Sequence, residues 1–145
     1  MVKLTKSLDE RIHIKWNNRF CTGIPTIDGE HRELLGILNK AIDAKEHSDN
    51  KEELEEVLEE MTKFALEHFE TEESYMREFN YPKYRDHREE HYRFFTKTIA
   101  FLDRLSNGNC QISNQLIEYL KQWLVNHIQV SDRQYIDCFK KNGLK

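Results

Sequence analysis

Residues 54–79, LEEVLEEMTKFALEHFETEESYMREF, decide the fold. Leu54, Val57/Leu58, Met61, Phe64/Ala65, Phe69, Met76 and Phe79 recur at steps of three and four, the period of a helix that buries one face. Two positions in that row are polar: His68 and Glu72 fall between Ala65 and Met76. Ahead of the stretch, Ser48-Asp49-Asn50 supplies a turn and an N-cap, with Glu53 three residues after Asn50 as in a capping box. The acidic run from Glu52 to Glu60 reads as a solvated face with favourable charge near a helix N-terminus. This predicts a helix over about 50–79.

The same period extends to both sides. Leu34, Leu35, Leu38 and Ile42 predict a helix over about 28–47, with Asp28 as its cap. Asn80-Tyr81-Pro82 breaks the pattern, and Pro82 suits the opening of a helix over about 82–107. That helix carries Tyr84, Phe94, Thr98, Phe101/Leu102 and Leu105 and ends at Asn107-Gly108-Asn109. A fourth, over about 113–142, aligns Leu116, Leu120, Trp123/Leu124, Tyr135 and Phe139, with Lys140, Lys141 and Gly143 as its stop. Residues 1–27 lack a clean period and read as an extended arm whose Trp16, Phe20, Ile24 and Ile27 pack on the rest. Short connections between four helices imply antiparallel neighbours. The expected fold is all-α, an up-down-up-down four-helix bundle with an N-terminal extended arm, forming one domain over 1–145.

Bulk properties narrow the function. A chain of 145 residues suits one domain. With 22 basic and 26 acidic side chains it lacks the basic excess of a nucleic-acid binder. No apolar run exceeds the four residues Ile99–Leu102, so no membrane span is expected. Met1–Ser7 is not followed by the apolar segment of a secretory signal, which predicts a cytoplasmic location. Cys21, Cys110 and Cys138 form no CxxC pair; they read as small hydrophobes in a reducing compartment.

The informative residues interrupt the apolar stripes. Besides His68 and Glu72, His87 and His91 fill the gap between Tyr84 and Phe94, His127 continues Leu120 and Leu124, and His31 starts one turn before Leu35. Asp132 follows His127 by five. A single histidine of this kind is ordinarily a satisfied core or surface residue. Burying five imidazoles and two carboxylates uncompensated, however, would cost several kcal/mol per ionised group. The net stability of such a domain is only about 5–15 kcal/mol. A bound metal is the simplest compensation. His87 and His91, four apart, share one helix face and can chelate one ion; His68 and Glu72 have the same relation at a second. His127 and Asp132 fit less well: five residues turn about 500°, leaving them roughly 140° apart on a regular helix. A π-type bulge near 128–131, or unequal side-chain reach, would reconcile them.

A ligand count then suggests a mechanism. Two octahedral ions offer twelve positions. Two bridging carboxylates fill four, a bridging oxide or hydroxide two, and five imidazoles five, which leaves one open. Mixed imidazole and carboxylate ligands with an open position suit iron better than calcium, magnesium or structural zinc.

The ordered set resembles the hemerythrin family, including its bacterial members. The matching stretches are Trp16…Gly23-Ile24…Ile27-Asp28-Gly29-Glu30-His31, His68-Phe69-Glu70-Thr71-Glu72-Glu73, His87-Arg88-Glu89-Glu90-His91 and Trp123-Leu124…His127-Ile128…Asp132. The resemblance implies that His87, His91 and His127 hold one iron, His31 and His68 the other, and that Glu72 and Asp132 bridge them. The implied cofactor is a pair of Fe2+/Fe3+ ions with a bridging oxide or hydroxide. Dioxygen would bind at the iron with two histidines, lined by Leu34, Phe69, Trp123 and Leu124. The implied function is reversible dioxygen binding, for storage or delivery to an oxygen-using enzyme, by a non-enzymatic monomer or weak oligomer. The alternatives are a di-iron oxidase, peroxidase or nitric-oxide-handling enzyme, or a sensor acting through a partner in trans. The Glu-x-x-His pairs of carboxylate-rich oxygenases are missing: only His13 has a glutamate three residues earlier, Glu10. His-Asp dipeptides, as in HD-type phosphohydrolases, are absent too. Glu30, where many relatives carry Gln, is either a partner behind a ligand or merely exposed and is given no role, and His13 and His47 read as surface residues.

Overall fold

Asn50 opens the longest helix with its side chain: its Oδ1 accepts from the Glu53 amide at 3.0 Å, satisfying one of the donors a helix start leaves unpaired. Glu53 does not reciprocate as a capping box requires. Its carboxylate turns to His47 Nδ1 at 2.8 Å and ties the preceding helix end to the new start.

The computed structural model describes residues 13–144, apart from the Gln129 side chain; residues 1–12 of the expected arm lie outside it. Four long helical stretches follow one another: α1 (Pro25–Glu46), α2 (Lys51–Glu78), α3 (Tyr84–Ser106) and a fourth that begins as α4 (Ser113–Trp123). The fourth continues as a π-helical segment, Leu124–Ser131, and then as the short α5 (Asp132–Gln134) and α6 (Ile136–Lys141). The described residues contain no strand. The architecture is an all-α four-helix bundle. α1 packs against α2 and α4, and α2 against α3.

Two starts differ from the sequence expectation. α1 begins at Pro25, three residues before Asp28, because Pro25 has the preset φ of a first helical residue. Asp28 therefore lies inside the first turn and caps nothing. It reaches back instead, accepting from Thr22 N (2.6 Å), Thr22 Oγ1 (2.7 Å), Gly23 N (3.1 Å) and Cys21 Sγ (3.2 Å). This carboxylate fastens the incoming arm to α1. The third helix begins at Tyr84, with Pro82 in the turn before it. The fourth is continuous in direction but not in pitch, as the π segment shows.

The core is layered. On one side of the bundle Leu34, Leu38, Phe64, Phe69, Phe94, Trp123 and Leu124 belong to one large apolar cluster, to which the arm adds Trp16 and Phe20. On the other, Ile24, Ile27, Met76, Tyr81, Tyr135 and Phe139 form a second. Along each helix the seven polar residues of the stripes fall between the members of one cluster and the other. The bundle thus has a polar slice sandwiched between two dry ones.

Cys21, Cys110 and Cys138 are free and half-buried. Among the described residues no helix is long and apolar enough to cross a membrane.

Candidate metal centre

Four helices each turn part of this polar slice inward. α1 supplies His31, α2 His68 and Glu72, and α3 His87 and His91. The fourth helix supplies His127 and Asp132, and here the π segment matters. The Asp132 amide donates to the His127 carbonyl, an i→i+5 bond that sets the two residues one wide turn apart on the same face. The 140° offset of a regular helix is thereby removed. All seven side chains are buried, Glu72, Asp132 and His31 completely.

Their donor atoms converge in two groups that share the carboxylates. Glu72, His87, His91, His127 and Asp132 form one, and His31, His68, Glu72 and Asp132 the other. Each carboxylate divides its oxygens between them. Glu72 Oε1 lies 3.0 Å from His91 Nε2 and 3.5 Å from His87 Nε2, while its Oε2 lies 3.4 Å from His68 Nε2 and 3.8 Å from His31 Nε2. Asp132 Oδ1 lies 2.7 Å from His87 Nε2 and 3.0 Å from His127 Nε2, while Oδ2 lies 2.8 Å from His31 Nε2. Glu72 Oε1, Asp132 Oδ1 and His87 Nε2 are nevertheless buried without a hydrogen-bond partner among the described residues. Atoms this close that still fail to align with one another are aimed at common points between them. A cation at each point would satisfy them all, so the donor set fits two metal ions.

The charges agree. Burial opposes a charge on His31 and His87, but the Asp132 and Glu72 carboxylates outweigh it and push both imidazoles up to about 10. Burial likewise opposes a charge on His127, which Asp132 and Glu90 raise. Burial favours neutral carboxyl groups at Glu72 and Asp132; the surrounding imidazoles nevertheless hold both well below the usual carboxylate range. The metal-free cluster therefore keeps its anions and holds protons on His31 and His87. Metal ions would replace those protons.

Outside this ring stands another that the sequence reading missed. All five Nε2 atoms face inward, and the outer nitrogens of four imidazoles meet protein groups. His31 Nδ1 lies 3.3 Å from the Phe20 carbonyl oxygen, and His91 Nδ1 2.9 Å from Glu73 Oε2. His127 Nδ1 lies 3.3 Å from Glu90 Oε2, and the other oxygen of that carboxylate, Oε1, accepts from Ser131 Oγ at 2.9 Å. His68 Nδ1 rests against Glu30 Oε2, so Glu30, given no role above, touches the cluster. Such partners fix the tautomer and turn the Nε2 lone pair toward a metal. Tyr135, read from the sequence only as core, donates its hydroxyl to Glu72 Oε2 at 2.5 Å. Burial beside Asp132 and Glu72 raises the Tyr135 pKa well above the ordinary tyrosine value, so the donor keeps its proton. One signal was available: Glu30, Glu73 and Glu90 each adjoin a stripe-interrupting residue, at His31, Glu72 and His91. A step of one residue turns about 100°, from the buried face to the flank that meets the next helix.

Residues 22–139 match the hemerythrin HHE cation binding domain. The chain belongs to the hemerythrin family. A bacteriohemerythrin of Pseudomonas paraeruginosa is 31% identical over 131 residues, 88% of this chain and 82% of that one. A bacteriohemerythrin of Clostridium acetobutylicum is 29% identical over 126 residues, 84% of this chain and 98% of that one. A crystal structure of wild-type hemerythrin superposes with a TM-score of 0.79 at 23% identity, over 88% of this chain and 98% of that one, a likeness of fold. The slice of histidines and carboxylates is thus a buried cluster suited to a metal site, in a hemerythrin-family bundle.

The four residues read as a dioxygen pocket are all buried in the larger apolar cluster. Phe69 stacks on His91 (ring centroids 3.9 Å apart) and Trp123 on His127 (4.0 Å). Leu34 follows His31 by three residues, and Leu124 precedes His127 by three. His13 and His47 are exposed and pair with Asp43 (2.6 Å) and Glu53, away from the centre.

Proposed function

We propose that this hemerythrin-family chain binds dioxygen reversibly at a pair of irons, for storage or for delivery to an oxygen-using enzyme. The observation that carries the reading is the division of Glu72 and Asp132, one oxygen toward each histidine group. Carboxylates so divided hold two ions side by side. His87, His91 and His127 would hold one iron and His31 and His68 the other. A ferrous pair supplies the two electrons that dioxygen accepts and returns.

The chain's own residues make the binding reversible. Phe69, Trp123, Leu34 and Leu124 keep bulk water from the imidazole ring, which slows loss of the bound gas by protonation or hydrolysis. Tyr135 holds Glu72 in its dividing orientation. Glu30, Glu73 and the Phe20 carbonyl keep a proton on the outer nitrogens of His68, His91 and His31, so the inner nitrogens stay free to donate.

The test is anaerobic loading with ferrous iron, followed by metal analysis and absorption spectra before aeration, after it and after removal of the gas. Two irons per chain and a visible band that comes and goes with dioxygen are expected. A colourless protein, or one that holds fewer than two irons, overturns the assignment. Continuous turnover of an added reductant would instead make the chain a di-iron enzyme.

A further inference from the structure

The outer ring treats the two histidine groups differently. On the three-histidine side, carboxylates lie against two outer nitrogens, Glu73 at His91 and Glu90 at His127. On the two-histidine side, His31 meets only the neutral Phe20 carbonyl, and Glu30 at His68 brings the single negative charge on an outer nitrogen among the described residues. The His68 side chain is 2% exposed and that of Glu30 21%. Glu30 Oε2 and His68 Nδ1 are both buried and have no other partner, so each depends on the other. An imidazole whose outer N–H donates to a carboxylate is a stronger inner donor, because proton and charge are drawn outward. Stronger donors and nearby negative charge favour the ferric over the ferrous ion.

We propose that Glu30 is a positioning residue that, through His68, lowers the reduction potential of the iron held by His31 and His68. It acts by charge as well as by orientation, which separates it from the Phe20 carbonyl across the site. The inference rests on the di-iron reading above and deepens it, since it concerns the iron with the open position.

The iron-loaded protein tests it, by redox titration with mediators followed in the visible spectrum. Glu30→Gln keeps the size of the side chain and an acceptor oxygen but removes the charge. It is expected to retain two irons per chain and to shift the ferric-to-ferrous preference about tenfold, a rise of about 59 mV for a one-electron couple. Glu33→Gln, which removes an exposed charge from the same helix, is expected to leave the potential where it was. An unchanged potential in iron-replete Glu30→Gln, or an equal rise in Glu33→Gln, overturns the proposal while the di-iron reading stands. Should Glu30→Gln hold too little iron to titrate, chelator competition decides. A loss about tenfold greater for the ferric than the ferrous form supports the proposal, and equal losses overturn it. Wild-type protein that does not take up two irons ends the di-iron reading, and this inference falls with it.

Discussion

Glu72 and Asp132 each divide their oxygens between two sets of imidazoles, so neither can be lost from one side alone. On the proposed assignment, replacing either with Ala would remove a ligand from both ions at once and leave the imidazoles facing one carboxylate. Metal analysis after loading is expected to give fewer than two irons per chain, with affinity reduced at least about tenfold. Tyr135→Phe acts more gently: it strips the hydroxyl from a buried carboxylate oxygen without moving the ring that stacks on Phe139. Urea denaturation of the metal-free protein is expected to show a loss of about 1–3 kcal/mol. Asp28 gives a pH signature away from the centre. Burial disfavours its charge, but the donors of Thr22, Cys21 and Gly23 lower its pKa below the ordinary value. Its contribution is therefore full above the unfolded value of about 3.9 and is lost as pH falls through the lower folded one. Asp28→Asn is expected to lower the urea midpoint at pH 7 and to flatten its decline on acidification below about pH 4.

At the scale of elements, the departure from regular structure is the eight-residue π segment between α4 and α5. Its one surplus residue brings Asp132, Tyr135 and Phe139 back into phase with His127. Deleting exposed Val130 restores regular helical pitch and puts His127 four residues before the aspartate, about 400° round and so on the same face. That variant is expected to keep both irons. Inserting an alanine after Val130 makes the step six, about 600°, and is expected to abolish loading, with helical content unchanged by circular dichroism. The sequence spoke clearly wherever period and polarity disagreed. His68 and Glu72 stood out because Ala65 and Met76 framed them, and the misfit of His127 with Asp132 pointed to a bulge. It was silent where the residue that matters lies on a flank. Glu30, Glu73 and Glu90 sit among many other acids on wetted surfaces, where no repeat distinguishes a glutamate that grips an imidazole from one that meets only water. Asp28 misled for a related reason: a short acid before an apolar run caps most helices, but Pro25 had already begun this one.

For the molecule as a whole, the polar slice opposes folding until something neutralises it, because two apolar clusters flank five imidazoles and two carboxylates. An ion that binds only the folded chain adds about 2.7 kcal/mol at a hundred times its dissociation constant. Iron removal by chelator is therefore expected to lower the melting temperature, and reloading to restore it. The outer ring has a further consequence for anyone who would rebuild this protein. Glu30 rides on α1 but serves His68 of α2; Glu73 rides on α2 but serves His91 of α3; Glu90 rides on α3 but serves His127 of the fourth helix. Each segment thus carries the support of its successor. A helix transplanted by itself into a homologous scaffold would arrive without the acid that its histidine needs, so what can be exchanged intact is a run of consecutive helices.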